Sequence, residues 1–252
     1  MTVLADLGVF GDAIELLFHA QESRTGGAEI GGPSQFLELT GRHLLLTVTA
    51  ILLASAVALP LGLALGHRRR GGFLAITVSN VGRAVPSLVL IALFVAFLGV
   101  GFTNVALALT LLAIPPILTN AYVGVTQVDP EVLDAARGQG LTERQVLRQV
   151  ELPLALPLIF AGLRTSTVNV IATATIAPVA GYVTLGDPII SQAVYGDAGR
   201  LAAAIVVALL AIVAELSLGA AQRAATPAPL RARTRLVRRP RAPILLRKGT
   251  TP

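Results

Sequence analysis

The chain has 252 residues, of which 54% are hydrophobic and only 13% are charged, and it carries a formal net charge of +6. Apolar runs of twenty or more residues recur along it, a composition typical of a protein embedded in a membrane. The absence of cysteine excludes disulfide bonds and any metal site or cluster held by thiolates.

The first predicted unit is an N-terminal segment, residues 1–41, on the outer side of the membrane. Its first thirty residues carry five acidic side chains where a cleavable signal peptide has a basic region, so we expect targeting by the first membrane span. Between residues 3 and 20, acidic and apolar residues alternate at helical spacing. This pattern predicts an amphipathic helix on or near the membrane surface.

Five apolar runs are long enough to cross a bilayer, because about 20 residues of helix cover roughly 30 Å of hydrocarbon. They lie near 43–66, 73–98, 103–127, 154–181 and 201–221. Residues 182–199 are rich in glycine and aspartate, which favours a loop or a short re-entrant piece. The sequence therefore predicts an all-α transmembrane domain over residues 42–221 with five transmembrane helices, and six is the alternative.

Basic residues set the predicted orientation. His67 and three arginines follow the first span directly, and nine basic residues follow the fifth span. With five spans these two groups lie on the same side, and the positive-inside rule makes that side cytoplasmic. The chain is then a multi-pass protein of the cytoplasmic membrane, with its N-terminus outside and its C-terminus in the cytoplasm.

The C-terminal tail, residues 222–252, combines its basic residues with prolines at 227, 229, 240 and 243, so it is predicted to be disordered. Basic clusters next to a span usually hold the topology and contact anionic lipid. We therefore expect membrane lipid, and no nucleic acid, as the partner of this tail.

A polar segment, Asp134–Pro153, lies between two long apolar runs and falls in the cytoplasm in this topology. Asp129 and Pro130 form a strong helix start, and Gly138 and Gly140 break the helix. Thr142 can cap a second helix. The segment is thus predicted to be a helix, a glycine bend and a second helix across the cytoplasmic face.

The spacing of this segment resembles the EAA loop of ABC importer permeases, EAA, three residues, Gly, nine residues, then I-x-LP. Asp134 stands in place of the usual Glu, and Val150 in place of the usual Ile. The resemblance implies the type I ABC importer permease fold, in which residues 130–153 form a coupling helix that docks on a separate ATPase. The candidate coupling residues are Asp134, Ala135, Ala136, Gly140, Val150, Leu152 and Pro153.

The flanking residues are similar to the osmoprotectant branch of these permeases. Residues 152–181 carry the similarity, and Arg83-Ala-Val-Pro86-Ser87 resembles the branch element Q-T-I-P-S, with Arg83 departing from it. Gly181-Tyr-Val-Thr-Leu-Gly186 stands where the branch usually has G-A-G-G-L-G. The resemblance covers about residues 40–221 and implies a compatible solute such as glycine betaine, choline or carnitine as substrate. Methionine-type amino acids or another small solute are the alternatives.

The resemblance and the missing motifs together predict the partners. The chain has no G-x-x-x-x-G-K-[ST] phosphate loop, so ATP and Mg are expected to be used by separate ABC ATPase subunits. Without a folded soluble domain, substrate capture needs an extracytoplasmic substrate-binding protein. The resemblance also implies a second permease copy or a sister permease. No cofactor is expected on this chain itself.

An enzyme is not expected, because the three histidines are far apart and neither H-E-x-x-H nor a paired-carboxylate motif occurs; no catalytic residue and no metal ligand is assigned. A passive channel or a membrane scaffold is the alternative outside the ABC class. Neither of these would need Asp134–Pro153.

Polar residues within the spans are the candidates for a transport pathway, because polarity in hydrocarbon tends to face the bundle interior. Thr165, Asn169 and Thr173 recur every four residues and therefore share one helix face. Helix packing is an equally good interpretation of this face. Arg164 is predicted to be an interior ion-pair partner or an anchor near the interface. The earlier spans add the candidates Asn80, Pro86, Ser87 and Asn120.

Overall fold

The computed structural model of the chain describes residues 2–73, 77, 82 and 84–226, and most of them are helical. In chain order the elements are α1 (Thr2–Phe18), β1 (Ala20–Glu22), β2 (Glu29–Gly31), α2 (Gly32–His67), α3 (Ser87–Leu98), α4 (Phe102–Thr126), α5 (Pro130–Gly138), α6 (Glu143–Gln145), a π-helical turn (Val146–Glu151), α7 (Leu152–Thr173), a 3-10 helix (Ala174–Ala180), α8 (Asp187–Ile190) and α9 (Gln192–Ala225).

The predicted spans near 43–66, 103–127, 154–181 and 201–221 fall on long apolar helices. In the described part of the chain, four helices could cross a bilayer by length and composition: Gly32–His67, Phe102–Thr126, Glu143–Ala180 and Gln192–Ala225. The predicted span near 73–98 contains α3, an apolar helix of 12 residues. Several residues before α3, Asn80 and Arg83 among them, lie outside the described residues, as does the basic tail from residue 227.

Residues 182–199 hold a loop, the short helix α8 and the first turn of α9. Gly196 interrupts α9 with non-helical backbone angles, a φ of 66° and a ψ of −166°, and this φ is readily adopted only by glycine. The uninterrupted part of α9 therefore begins after Gly196, close to the predicted start of the span near residue 201. The predicted loop thus contains short helical pieces, which the small and polar residues of this segment did not reveal.

Helices α2, α4 and α7 form the centre of the bundle, where glycines allow their backbones to approach closely. A Cβ atom on Gly62 of α2 would lie 2.8 Å from the Leu118 carbonyl oxygen of α4. A Cβ atom on Gly162 of α7 would lie 2.7 Å from the Cβ of Asn120, also on α4. Small residues at such positions let helices associate in a membrane through van der Waals contact.

The N-terminal segment packs against the other end of the bundle. α1 is the helix predicted for residues 3–20, and it buries Ala13 and Leu16 in a cluster with residues of α2, α8 and α9. Phe10 and Phe18 remain at least half exposed, so the helix has one packed face and one free apolar face. The β1–β2 hairpin that follows was not predicted, because its strands have only three residues each.

Candidate functional site

The predicted start and end of α5 are confirmed. The Asp129 side chain accepts a hydrogen bond of 2.9 Å from the Glu131 backbone N–H, which satisfies a donor at the helix start. α5 ends at Gly138, and Gly140 reverses the chain with a φ of 84°. A residue with a Cβ adopts this φ only at a cost, so glycine at position 140 fits the bend.

The second helix of the segment also begins where the sequence predicts. The Gln145 Oε1 atom accepts hydrogen bonds of 2.8 Å from the Thr142 backbone N–H and from the Thr142 hydroxyl. This local pairing starts α6, which continues through the π-helical turn directly into α7. The π-helical turn was not predicted, and π-helical turns are frequent at functional sites.

The segment has a small core of its own. Leu133 and Ala136 of α5 are buried against Val128 and Val146, with Leu141, Val150 and Leu154 packed around them. Asp134, Ala135 and Gly140 are exposed on the outside. The seven candidate coupling residues therefore fall into three groups. Three are exposed, and Ala136 and Val150 pack in the small core beneath them. Leu152 and Pro153 are the first residues of α7.

An ion-pair network joins α5 and α6 across the glycine bend. The Arg137 guanidinium donates to the Glu143 carboxylate at 2.9 and 3.2 Å and lies 3.4 Å from Asp134. Its hydrogen bond with Glu143 raises the pKa of the Arg137 guanidinium. Asp134 thus belongs to a surface network of alternating charge.

The end of α2 contacts the same segment. The His67 Nδ1 atom lies 2.5 Å from the Glu151 Oε2 atom, and the Arg69 guanidinium donates to the Val128 carbonyl oxygen at 2.9 Å. Sequence reasoning assigned these basic residues to topology alone. The signal that could have revealed the contact is Glu151, a single carboxylate beside apolar residues, because such a group needs a partner when buried.

A cavity of about 600 Å³ brings most candidate pathway residues together. Residues of α7, residues just before and at the start of α3, and prolines of α4 line it, among them Pro86, Ser87, Pro115, Pro116, Thr165, Asn169 and Thr173. Asn120 lies elsewhere, donating its side-chain N–H to the Pro116 carbonyl oxygen at the α4–α7 contact. Among the described residues, no charged side chain lines this cavity.

A groove of about 620 Å³ adjoins the cavity and shares Thr165 and Asn169 with it. Here the Arg164 Nε atom donates to the Glu215 carboxylate at 3.0 Å, and its Nη1 atom donates to Gln222 at 2.9 Å. Arg164 is therefore an ion-pair partner, as the sequence suggested, and the partly exposed pair joins α7 to α9 along the groove. Its charge is balanced, which leaves the neighbouring cavity without a free cation from this residue.

The turn after the 3-10 helix requires glycine at two positions, Gly181 and Gly186. Gly181 has a φ of 76° and ends the 3-10 helix. Gly186 lies so close to the Thr175 carbonyl group that a Cβ atom would collide with it. Between them, the Thr184 hydroxyl donates to the Ala174 carbonyl oxygen at 3.0 Å. This hydrogen bond fastens the turn to the first residue of the 3-10 helix.

The chain matches a known family of membrane transport proteins over most of its length. Residues 56–228, more than half of the chain, match the family described as binding-protein-dependent transport system inner membrane component. The chain belongs to this family. It is thus a multi-pass permease subunit of an ABC importer, and the resemblance found in the Asp134–Pro153 segment is confirmed at the level of the family.

Curated relatives extend this family membership over most of the permease. The glycine betaine/carnitine/choline transport system permease protein OpuCD of Bacillus subtilis (strain 168) is 39% identical over 188 residues, which cover 74% of this chain and 82% of that protein. The choline transport system permease protein OpuBB of the same organism is 37% identical, with 81% and 92% covered. The osmoprotectant import permease protein OsmY of Salmonella typhimurium is 37% identical, with 60% and 65% covered.

Solved structures support the fold of the permease. An inward-facing structure of the MetNI methionine ABC transporter matches with a TM-score of 0.70 at 19% identity, covering 79% of this chain and all of that one. A crystal structure of an amino acid ABC transporter with histidines matches with a TM-score of 0.60 at 22% identity, covering 76% of this chain and 94% of that one. The type I ABC importer permease fold is therefore confirmed.

Proposed function

We propose that this permease carries a compatible solute such as glycine betaine, choline or carnitine. The observation that carries the proposal is its identity of 36 to 39% with permeases named for these solutes over about three quarters of its length. The cavity supports it, because the hydroxyl, amide and proline groups that line it can contact a small polar solute.

The proposed orientation places the N-terminal segment outside and the C-terminus in the cytoplasm. The contacts of His67 and Arg69 with the segment Asp134–Pro153 support it, because they put the basic end of the first span beside that segment. Both then face the cytoplasm under the positive-inside rule. The basic tail would contact anionic lipid there.

The segment 130–153 is proposed to couple this permease to ABC ATPase subunits that use ATP and Mg. It presents Asp134, Ala135 and Gly140 on the surface while its own small core holds their backbone in place. An exposed face on a rigid support can transmit a displacement to α7, since the π-helical turn joins the two without a break. The chain itself would be a non-catalytic subunit without a cofactor.

Two further partners complete the proposed transporter. The family description names a dependence on a binding protein, so an extracytoplasmic substrate-binding protein would deliver the solute. A second copy of this chain or a sister permease would complete the membrane domain.

Uptake into vesicles tests the proposed substrate. Proteoliposomes that hold the permease, its ATPase and its binding protein should accumulate labelled glycine betaine, choline or carnitine when ATP is supplied to the ATPase side. Vesicles without ATP are the control. ATP-driven uptake of methionine without uptake of any quaternary amine would overturn the proposed solute while leaving the permease assignment intact.

A further inference from the structure

The last residue of α2 joins two carboxylates of the coupling segment. The His67 Nδ1 atom is 2.5 Å from Glu151 Oε2, and its Nε2 atom is 3.4 Å from Glu143 Oε2. The Glu151 side chain is 1% exposed, whereas that of Glu143 is 60% exposed. One imidazole thus bonds strongly to a buried group at the base of the segment and weakly to a group on its surface.

The contact with Glu151 is strongly favoured. Among the described residues, His67 provides the side-chain hydrogen-bonding contact of the Glu151 carboxylate. A buried carboxylate without a partner is strongly unfavourable, because it has lost its hydration. Separation of α2 from the π-helical turn would expose or orphan this carboxylate, so the two elements are expected to stay together.

A second contact lies at the opposite end of the segment. The chain leaves α2 through hydrogen bonds from Arg69 N–H to the Gly66 carbonyl and from Arg70 N–H to the Leu65 carbonyl. This is the Schellman pattern, in which the left-handed residue is usually glycine. Here it is Arg69, with a φ of 47°, and its side chain donates to the Val128 carbonyl just before α5. The end of α2 therefore contacts Val128, just before the segment 130–153, and Glu151 within it.

We propose that His67 is a positioning residue for energy coupling, which holds the base of the coupling segment against the first span through Glu151. Displacement of the ATPase-facing surface then moves α2 together with α7, although α2, unlike α7, is not continuous with the segment. This inference rests on the proposed coupling role of residues 130–153.

Paired measurements of uptake and ATP hydrolysis test the role in the complete complex of permease, ATPase and binding protein in proteoliposomes, with glycine betaine as the probe. His67→Leu should lower uptake per ATP hydrolysed by about fivefold or more, at the lower end of the range for a coupling free energy. His67→Asn should restore it, since the Asn side-chain N–H occupies the place of Nδ1. His19→Leu, at an exposed histidine after α1, is the matched control and should keep the wild-type ratio.

Loss of folding is separated from loss of coupling by a double variant. His67→Leu with Glu151→Leu removes both partners, so no buried carboxylate is left unpaired and stability should stay near that of the wild type. The double variant should still have a lowered uptake per ATP. A wild-type ratio in the double variant would overturn the proposal and leave the contact with a purely structural role.

A readout that does not depend on the solute separates this inference from the substrate assignment. Nitroxide labels on cysteines at Glu131 of α5 and Leu61 of α2, both exposed, report the distance between the segment and the first span. Trapping with ATP and vanadate should leave a narrow, unchanged distance distribution in the wild type and a broader or shifted one with His67→Leu. Identical distributions would overturn the proposal, whereas failure of glycine betaine uptake alone would count only against the solute.

Discussion

Individual glycines determine how closely the backbone segments of this permease approach each other. Gly186 has an ordinary φ of −72°, so any residue could adopt its conformation, yet a Cβ atom there would collide with the Thr175 carbonyl. Gly140 is the opposite case, with open space around it and a φ that disfavours a side chain. The reason for glycine therefore differs between the two positions, and so do the expected effects of alanine.

Gly186→Ala should destabilise the permease by roughly 1–3 kcal/mol, the usual range for overpacking a filled site. The measurement is thermal unfolding of the purified protein in detergent. Gly41→Ala, in the helical α2 with open space around it, is the control and should be neutral or slightly stabilising. Equal melting temperatures for Gly186→Ala and the wild type would show that the turn can move away from the 3-10 helix.

At the residue scale, the sequence predicts the features that depend only on residues close together in the chain. The Asp129 cap, the Thr142 cap and the bend at Gly140 involve residues within a few positions of each other, so local rules locate them. The partners of Arg164 and His67 are 51 and 84 residues away. Such contacts depend on which helices pack together, and no local pattern contains that information.

Among the elements, α5 has a proposed coupling role that depends on an exposed bend, the one at Gly140. Gly140→Ala should reduce the amount of ATPase that co-purifies with the permease in detergent. Alanine in the left-handed conformation of Gly140 costs about 1–2 kcal/mol, so the backbone is expected to leave that conformation and change the direction of the bend. Gly27→Ala is a matched control, since Gly27 has a φ of 77° and equally open surroundings in the hairpin turn.

The two alanine variants should therefore have similar stability but different ATPase retention. Equal loss of ATPase from both would indicate a general effect of instability. Full retention with Gly140→Ala would contradict a coupling role for this bend.

Element boundaries show where hydropathy is informative and where it is not. The apolar centres of four spans were located well, because hydrocarbon requires them to be apolar. The start of α2, the β1–β2 hairpin and α8 were missed, because polar residues extend a helix, or form a short strand, without an apolar signature. The cavity likewise joins Ser87 and Thr173, which only the packing of the helices brings together.

The orientation of the whole molecule can be tested directly, because the chain contains no cysteine. Thr25→Cys in the hairpin and Gln149→Cys in the π-helical turn each add one exposed thiol. A maleimide that cannot cross membranes should label the first in intact cells and the second only after permeabilisation. Labelling of Gln149→Cys in intact cells would reverse the proposed topology.

The π-helical turn Val146–Glu151 has a consequence for chain length. A π turn holds about one residue more than an α turn, so it is equivalent to a single-residue insertion in a continuous helix. Loss of one residue within 146–151 could be absorbed by reverting to a regular α turn, with both flanking faces kept in register. Loss of one residue within α7 would instead rotate every following side chain by about 100°. Length variation is therefore tolerable in the turn and disruptive immediately after it.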